Sequence, residues 1–422
     1  MILLMIITNT YLICLMQRKI MRTRFKTPSN WIVFLTFVMN ALLTQLSIYL
    51  YLASMPAMKI AMHTNNSHIQ LTYSYFMLGM GLAIIFSGYF IKKISYRQLL
   101  LINNLIFILA TALIFLIDNI SIFLILRVLQ GVGCSLGSVF IIMVIIREQY
   151  EKKASIRVFS FLLSALALVP IVAPFIGGYV QDIYGWKGNF LILLVISFGL
   201  MIATFLFFPK IKNKSGAELQ KSYISHLKEY LRDKHFFSQT VYSILIVNII
   251  VSYNVASPFL LQNHLAISAT FFGWLAAFIG FMFSLGAFCN SGLIKKYNIN
   301  FVVKIGLIIS SIGMALFLIC SYLTPYSVSG IVVPFAIVTF GLAILYPNLT
   351  AYSYENIKEN ALVAASLFAT LNIISNFITV YIVASIPEES PIFFAWVITL
   401  MQLLLLSYFY KKKPMDKQTG WG

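Results

Sequence analysis

One cation stands inside the most apolar part of this chain. Arg127 lies in SIFLILRVLQGVGCSLGSVFIIMVIIREQY, residues 121–150. An arginine in a hydrocarbon segment costs about 2.5–3.5 kcal/mol on insertion scales, so it faces a bundle interior or a water-filled cavity and marks a substrate or ion path. Gly131, Gly133 and Gly137 follow at small-residue spacing, a surface that lets another helix approach closely. Uncharged polar groups gather in other apolar stretches: Asn40, Thr44, Gln45, Ser47, Tyr49 and Tyr51 before Pro56; then Asn248, Tyr253, Asn254, Tyr346, Asn348, Asn372 and Asn376. Asn372 and Asn376 are four apart and share a helical face. Such groups either line a polar cavity or hydrogen-bond one helix to another.

Other chemistries lack their residues. The five histidines fall in loops or tails, and His63 and His68 have no nearby carboxylate to complete a metal pair. Cys14, Cys134, Cys289 and Cys320 have no ligand spacing and read as reduced packing residues. No phosphate-binding loop is present, which excludes nucleotide-driven transport within this chain. With no catalytic constellation, cofactor or metal site, an enzyme is not expected.

The elements that hold these residues are membrane spans. Sixty per cent of the chain is apolar, ten per cent is charged, and the mean hydropathy is +0.90, outside the range of soluble domains. Runs of about twenty apolar residues predict an all-α integral membrane fold of twelve transmembrane helices: 31–53, 71–91, 98–117, 121–146, 158–181, 188–208, 238–261, 271–290, 300–322, 328–349, 361–385 and 390–409. Residues 1–30 form an amino-terminal tail and 410–422 a carboxyl-terminal one. The apolar segment 1–16 is followed, not preceded, by Gln17, Arg18 and Lys19, the wrong polarity for a signal peptide. It reads as a tail at the membrane surface, or as sequence upstream of a true start at Met16 or Met21.

With the amino terminus inside, all but Lys59, Lys187 and Arg127 of the 30 Lys and Arg residues fall on the cytoplasmic side. That bias places both termini in the cytoplasm. The net charge of +18 is therefore topology and contact with anionic lipid, not a nucleic-acid site. All twelve carboxylates fall outside the spans: Asp118, Asp182, Glu388 and Glu389 on the outer side, the other eight on the inner.

Residues 209–237 form a charged cytoplasmic linker with six spans on either side, 31–208 and 238–409. Two facing repeats around a midplane site characterise secondary transporters. Gly88 to Lys93 reads GYFIKK and Gly292 to Lys296 reads GLIKK, at equivalent places in the two halves.

The chain resembles the major facilitator superfamily and, within it, the bicyclomycin-resistance (Bcr/CflA) drug-exporter branch. Arg127, Gln130, Gly131 and Gly133 match its R-x-x-Q-G/A-x-G motif, and Arg147-Glu148 stands where the branch has Arg-Asp. Pro170, Pro174, Gly177 and Gly178 match the proline-glycine motif associated with exporters, followed by Gly185-Trp186. Ser257-Pro258-Phe259, Tyr346-Pro347-Asn348 and the small residues Ala361 to Ser366 extend the resemblance into the second half. It implies an alternating-access monomer that moves a small molecule through the lipid bilayer, with protons as a candidate coupling ion. Pro170 and Pro174 kink the fifth span, and Gly177 and Gly178 make it a packed hinge.

Two departures bear on function. The loop expected to read G-x-L-A-D-R-x-G-R-R reads G-Y-F-I-K-K-I-S-Y-R from Gly88 to Arg97, with Lys92 in place of the aspartate and Lys93 and Arg97 as its basic residues. Tyr49 stands where the branch often has a membrane carboxylate. Without that counter-charge a small polar or anionic solute, such as a citrate-type siderophore, is expected in preference to a cation. The predicted path comprises Arg127, Gln130, Gln45, Tyr49, Tyr253, Asn254, Asn348, Asn372 and Asn376. Coupling through Asp182 or Glu355, a proton-driven multidrug antiporter, a nutrient importer and a non-transporting receptor on the same fold are the alternatives.

Overall fold

The structure is a computed structural model that describes residues 29–90, 94–135, 152–208, 229–355, 357, 361–386 and 391–411. Gly137, Arg147, Glu148, Lys92, Lys93, most of both predicted tails (1–28 and 412–422) and most of the linker lie outside the described residues. The secondary structure among them is helical throughout. In chain order the helices are α1 (Ser29–Tyr49), the short α2 (Met55–Ala61), α3 (Asn66–Phe90), α4 (Tyr96–Ile114), α5 (Ile120–Ser135), α6 (Lys152–Tyr184) and α7 (Trp186–Phe207). After the linker come α8 (Lys234–Leu265), α9 (Ala269–Lys296), α10 (Ile299–Leu323), α11 (Val328–Ser353), α12 (Ala361–Ala384) and α13 (Pro391–Lys411).

Polar caps stop and start the apolar runs. Ser95 accepts from the Gln98 amide while Gln98 accepts from the Ser95 amide, a capping box that starts α4. Asp233, Ser268, Asn298 and Ser327 cap α8, α9, α10 and α11. The first predicted span is shorter than expected: α1 ends at Tyr49, a turn and a 3-10 helix (Leu52–Ser54) follow, and Pro56 sits in the first turn of α2. The fifth is longer, so Asp182 falls in the last turn of α6.

Sidedness within these helices follows the 3.6-residue period even where every position is apolar. On α7, Phe190, Leu193, Ser197, Leu200 and Thr204 are buried, while Leu191, Val195, Phe198, Ile202 and Phe205 are exposed on the opposite face. In lipid the exposed stripe meets acyl chains, so the buried one is held by close packing against neighbouring helices.

The packing repeats. In the first six long helices, α3 packs on α5, α5 on α4, α4 on α7, and α1 on both α6 and α7. In the last six, α9 packs on α11, α11 on α10, α10 on α13, and α8 on both α12 and α13. The two sets meet along two seams, α6 against α9 and α3 against α12, which interchange under the same correspondence. Among the described residues this makes an architecture of two equivalent six-helix sets.

Candidate functional site

A cavity of about 640 Å3 opens between the two helix sets. Seven long helices wall it: α1, α3 and α6 from the first set, and α8, α9, α11 and α12 from the second. Its polar groups are Gln45, Tyr49 and Tyr73 on one side, and Tyr253, Asn254, Ser257, Thr339, Tyr346, Asn372 and Asn376 on the other. Met77, Met80, Phe272, Phe283 and Phe368 supply apolar wall, and Pro170 and Pro174 bring the kinked part of α6 to it. Among the described residues, none that line it is Asp, Glu, Lys, Arg or His.

Of the predicted path, Gln45, Tyr49, Tyr253, Asn254, Asn372 and Asn376 stand on this wall. The Tyr253 ring is stacked on Phe335, with centroids 3.8 Å apart, so its orientation is fixed from behind. Arg127, Gln130 and Asn348 do not line it. This corrects the expectation that they face the path. Arg127 is fully buried among the first six helices, donating from Nε to the Thr72 carbonyl (3.3 Å), from Nη1 to Gln130 Oε1 (2.9 Å) and from Nη2 to the Ser47 carbonyl (3.2 Å).

Its guanidinium carbon also lies 4.3 Å from the Tyr51 ring centroid and 4.6 Å from that of Phe76, contacts that stabilise a desolvated cation by about 2 kcal/mol. Gln130 passes the network on to Thr111 Oγ1 at 2.8 Å, so one buried cation ties α1, α3, α4 and α5 together. The physical reason for the correction is the turn after α1, which brings Tyr51 over the guanidinium group. Asn348 is likewise engaged inside the second set, with Asn290 Oδ1 (2.8 Å) and the Ile344 carbonyl (2.7 Å). Asn40, Thr44 and Ser47 bond backbone carbonyls at the helix core, and Asn248 donates to Ser375 Oγ at 2.7 Å, joining α8 to α12.

Tyr73, Met77, Met80 and Ile84, spaced four, three and four apart, form one stripe of α3 on the cavity. That periodicity is present in the sequence, but an apolar stripe that lines a cavity and one that packs a core look alike there. Gly88 closes the last turns of α3, and Arg97 lies at the start of α4, donating to the Phe205 carbonyl of α7 with its guanidinium carbon 5.3 Å from the Phe205 ring centroid.

Glycines set how closely the helices approach. A Cβ on Gly131 would come within 2.1 Å of the Phe76 carbonyl, and one on Gly133 within 2.7 Å of the Phe107 amide. Gly177 and Gly178 face different neighbours: a Cβ on the first would lie 1.8 Å from the Leu50 carbonyl within its own set, one on the second 2.2 Å from the Ala269 carbonyl across the seam. Three hydrogen bonds cross between the sets at this same end: Gln262 Nε2 to the Ala53 carbonyl (3.1 Å), Gln70 Nε2 to the Val255 carbonyl (3.5 Å), and the Thr270 amide to Asp182 Oδ2 (2.9 Å). The cavity is thus sealed away from the linker. Glu355, the other carboxylate considered for coupling, lies at the linker end, 3.8 Å from His235. Among the described residues there is no group of three or more His, Cys, Asp or Glu that could hold a metal.

Among the described residues, twelve long helices in two equivalent sets around a central cavity make the arrangement of a membrane transporter. The chain belongs to the Major Facilitator Superfamily, whose sequence profile matches residues 37–380. Similar curated proteins include an uncharacterized transporter of Rickettsia bellii, 22% identical over 86% of this chain and 91% of its own, and a chloramphenicol resistance protein of Pseudomonas aeruginosa, 26% identical over 86% and 85%. Among solved structures, a D-xylose-proton symporter superposes with a TM-score of 0.73 at 14% identity, covering 92% of this chain and 99% of its own.

Proposed function

We propose that this protein is a secondary transporter of the bacterial inner membrane that exports small, uncharged, amphiphilic molecules by alternating access. Residues 31–208 and 238–409 then act as two bodies that rock about the α6–α9 and α3–α12 seams. The observation that carries the reading is the cavity itself: about 640 Å3, walled by tyrosine, carboxamide, methionine and phenylalanine side chains, with no acidic or basic group among the described residues that line it. A pocket of this volume encloses a drug-sized molecule. A charged solute drawn from water into it would be desolvated without a counter-charge. The anionic siderophore expected from the sequence needed Arg127 on the path, and that side chain is fully engaged elsewhere.

The export direction rests on the proline-glycine pattern of α6 and on the name of the Pseudomonas relative, which is a resistance protein. The distribution of Lys and Arg supports an orientation with both termini inside the cell; the sealed end is then the outer one and the cavity opens toward the cytoplasm. The test uses everted membrane vesicles, comparing a neutral aryl amphiphile, a cationic dye and a tricarboxylate, each with and without a proton gradient. The neutral compound should accumulate above vesicles lacking the protein, and the gradient arm reads out coupling. Movement of the tricarboxylate alone would overturn the reading.

A further inference from the structure

At the linker end of the second set, a cation stands on a face that belongs to lipid. The exposed stripe of α10 runs through Phe301, Lys304, Ile308, Ile312, Leu316 and Ile319, three or four residues apart. Every member except Lys304 is apolar. Lys304 is the sixth residue of α10, so its backbone lies about 9 Å along the axis from the Asn298 cap. Helical side chains lean toward the amino terminus, and a lysine stem is long enough to return its ammonium to the interface. Two further cations lie at that end: α9 finishes at Lys295 and Lys296, both exposed, and only Tyr297 and Asn298 separate the two helices. Tyr297 and Phe301 are about half exposed with ring centroids 5.1 Å apart, and a tyrosine so placed marks headgroup level. Among the described residues, no carboxylate pairs with Lys295, Lys296 or Lys304. The matching helix of the first set treats its cation differently, since Arg97 of α4 donates to the Phe205 carbonyl of α7 and lies over the Phe205 ring.

We infer that Lys295, Lys296 and Lys304 form a binding site for the phosphate of an anionic phospholipid, with Tyr297 and Phe301 beside its glycerol region. Charge complementarity and the shape of the stripe choose this occupant together. A cation on a lipid-facing stripe needs a counter-charge, and among the described residues the protein supplies none. Beyond the lysine the same stripe continues as Ile308 and Ile312, a surface for acyl chains that a soluble phosphate would leave unused. The orientation proposed above puts this end in the cytoplasmic leaflet, whose anionic lipids are drawn to clustered lysines. The site itself does not depend on which solute is carried. Because α9 also forms a seam with α6, the lipid is held by a helix on which alternating access depends.

The experiment titrates the full-length protein in neutral detergent with phosphatidylglycerol, with phosphatidylcholine of the same chains and with inorganic phosphate, reading bound lipid by native mass spectrometry. The tightest phosphatidylglycerol should bind at least about tenfold more strongly than phosphatidylcholine, with three lysines each contributing about fivefold near a surface. Lys304→Gln should weaken it about fivefold or more, the double variant Lys295→Gln, Lys296→Gln at least as much, and Lys304→Arg should restore it. Lys234→Gln removes an exposed lysine at the same end but on α8, and should change the affinity by less than about twofold. Melting temperatures confirm that each variant is folded, as expected for exposed side chains. Equal losses in Lys304→Gln and Lys234→Gln would mean diffuse attraction to the whole basic surface and would overturn the site. So would equal binding of the two lipids, or displacement of phosphatidylglycerol by inorganic phosphate at matched concentration, which would assign the lysines to a soluble anion.

Discussion

Around Arg127 each of the three guanidinium nitrogens donates a hydrogen bond, and two aromatic rings face the charge. Across the cavity, Asn376 is almost as deeply buried, yet its side-chain oxygen is enclosed by the protein without a hydrogen-bond partner. The cation is the more conspicuous residue in the sequence and the more completely satisfied one in the structure. A group whose valences are all met internally holds helices together; one left unpaired beside a cavity costs stability where it stands. Position relative to the seam makes the difference. Arg127 ties α1, α3, α4 and α5 inside one set, whereas α12 is shared by a seam and the cavity.

The sharpest way to break this comparison is to remove the cation. Arg127→Ala should strand the Ser47 and Thr72 carbonyls and Gln130 in the core and leave a void, destabilising the protein by about 3 kcal/mol or more. The expected outcome is a large fall in melting temperature and in the amount of folded protein. Solute preference in the surviving fraction should stay unaltered. A stable variant with changed charge selectivity would return Arg127 to the substrate path.

Next in size is the pair of adjacent glycines. Gly178→Val should wedge α6 from α9 at the sealed end, where even a single Cβ would stand 2.2 Å from the Ala269 carbonyl. Folding of each set should survive, while transport falls at least tenfold and a cysteine placed at Asn254 becomes reactive to impermeant reagent from the outer face. Gly177→Val strikes Leu50 within one set, 1.8 Å from its carbonyl, and should instead lower thermal stability. If both variants behaved alike, the seam and the set interior would not be mechanically distinct.

Much of this architecture was legible in the chain. The twelve apolar runs, the linker and the proline-glycine pattern give helix number, halving and kink, because hydrocarbon demands internally bonded helices of fixed length. The motif residues gave the superfamily. The site was legible only in part, since a polar residue in a span declares that it avoids lipid without declaring what it faces. Asn348 and Asn372 look alike in sequence; the first bonds Asn290 and the second lies on the cavity. Arg127 misled for a related reason: its partners are two backbone carbonyls, the Gln130 carboxamide and two rings, none of which carries a counter-charge. Tyr51 contributes through a turn placed after α1, where the hydropathy of residues 50–53 reads as continuing helix.

A third test sharpens the contrast by writing a charge into the open region. Asn376→Asp places a carboxylate on a wall that has none among its described residues. Attraction to a cation at about 4 Å amounts to roughly 4 kcal/mol at an effective dielectric near 20, offset by desolvation of both partners. Competition between a cationic dye and a neutral probe of equal size should shift toward the dye by about tenfold. No shift would mean that Asn376 is not presented to the solute.

The smallest expected effect belongs to Asp182. Its carboxylate receives the Thr270 amide in the first turn of α9, so it caps a helix of the opposite set and meets the positive end of that helix dipole. Caps and dipole contacts of this kind contribute about 0.3–1 kcal/mol at an exposed site. Asp182→Asn keeps an oxygen acceptor but removes the charge, and should move the balance between closed and open outer ends by roughly twofold to fivefold. Asp182→Ala removes both and should lie at the upper end of that range. The readout is the rate at which a cysteine at Asn254 is labelled from outside, measured beside binding of a neutral probe. Labelling should rise while affinity stays within about twofold, because the latch lies beyond the wall that touches the solute. Equal changes in both would join the latch to the binding region and dissolve the distinction between a seam that moves and a wall that recognises.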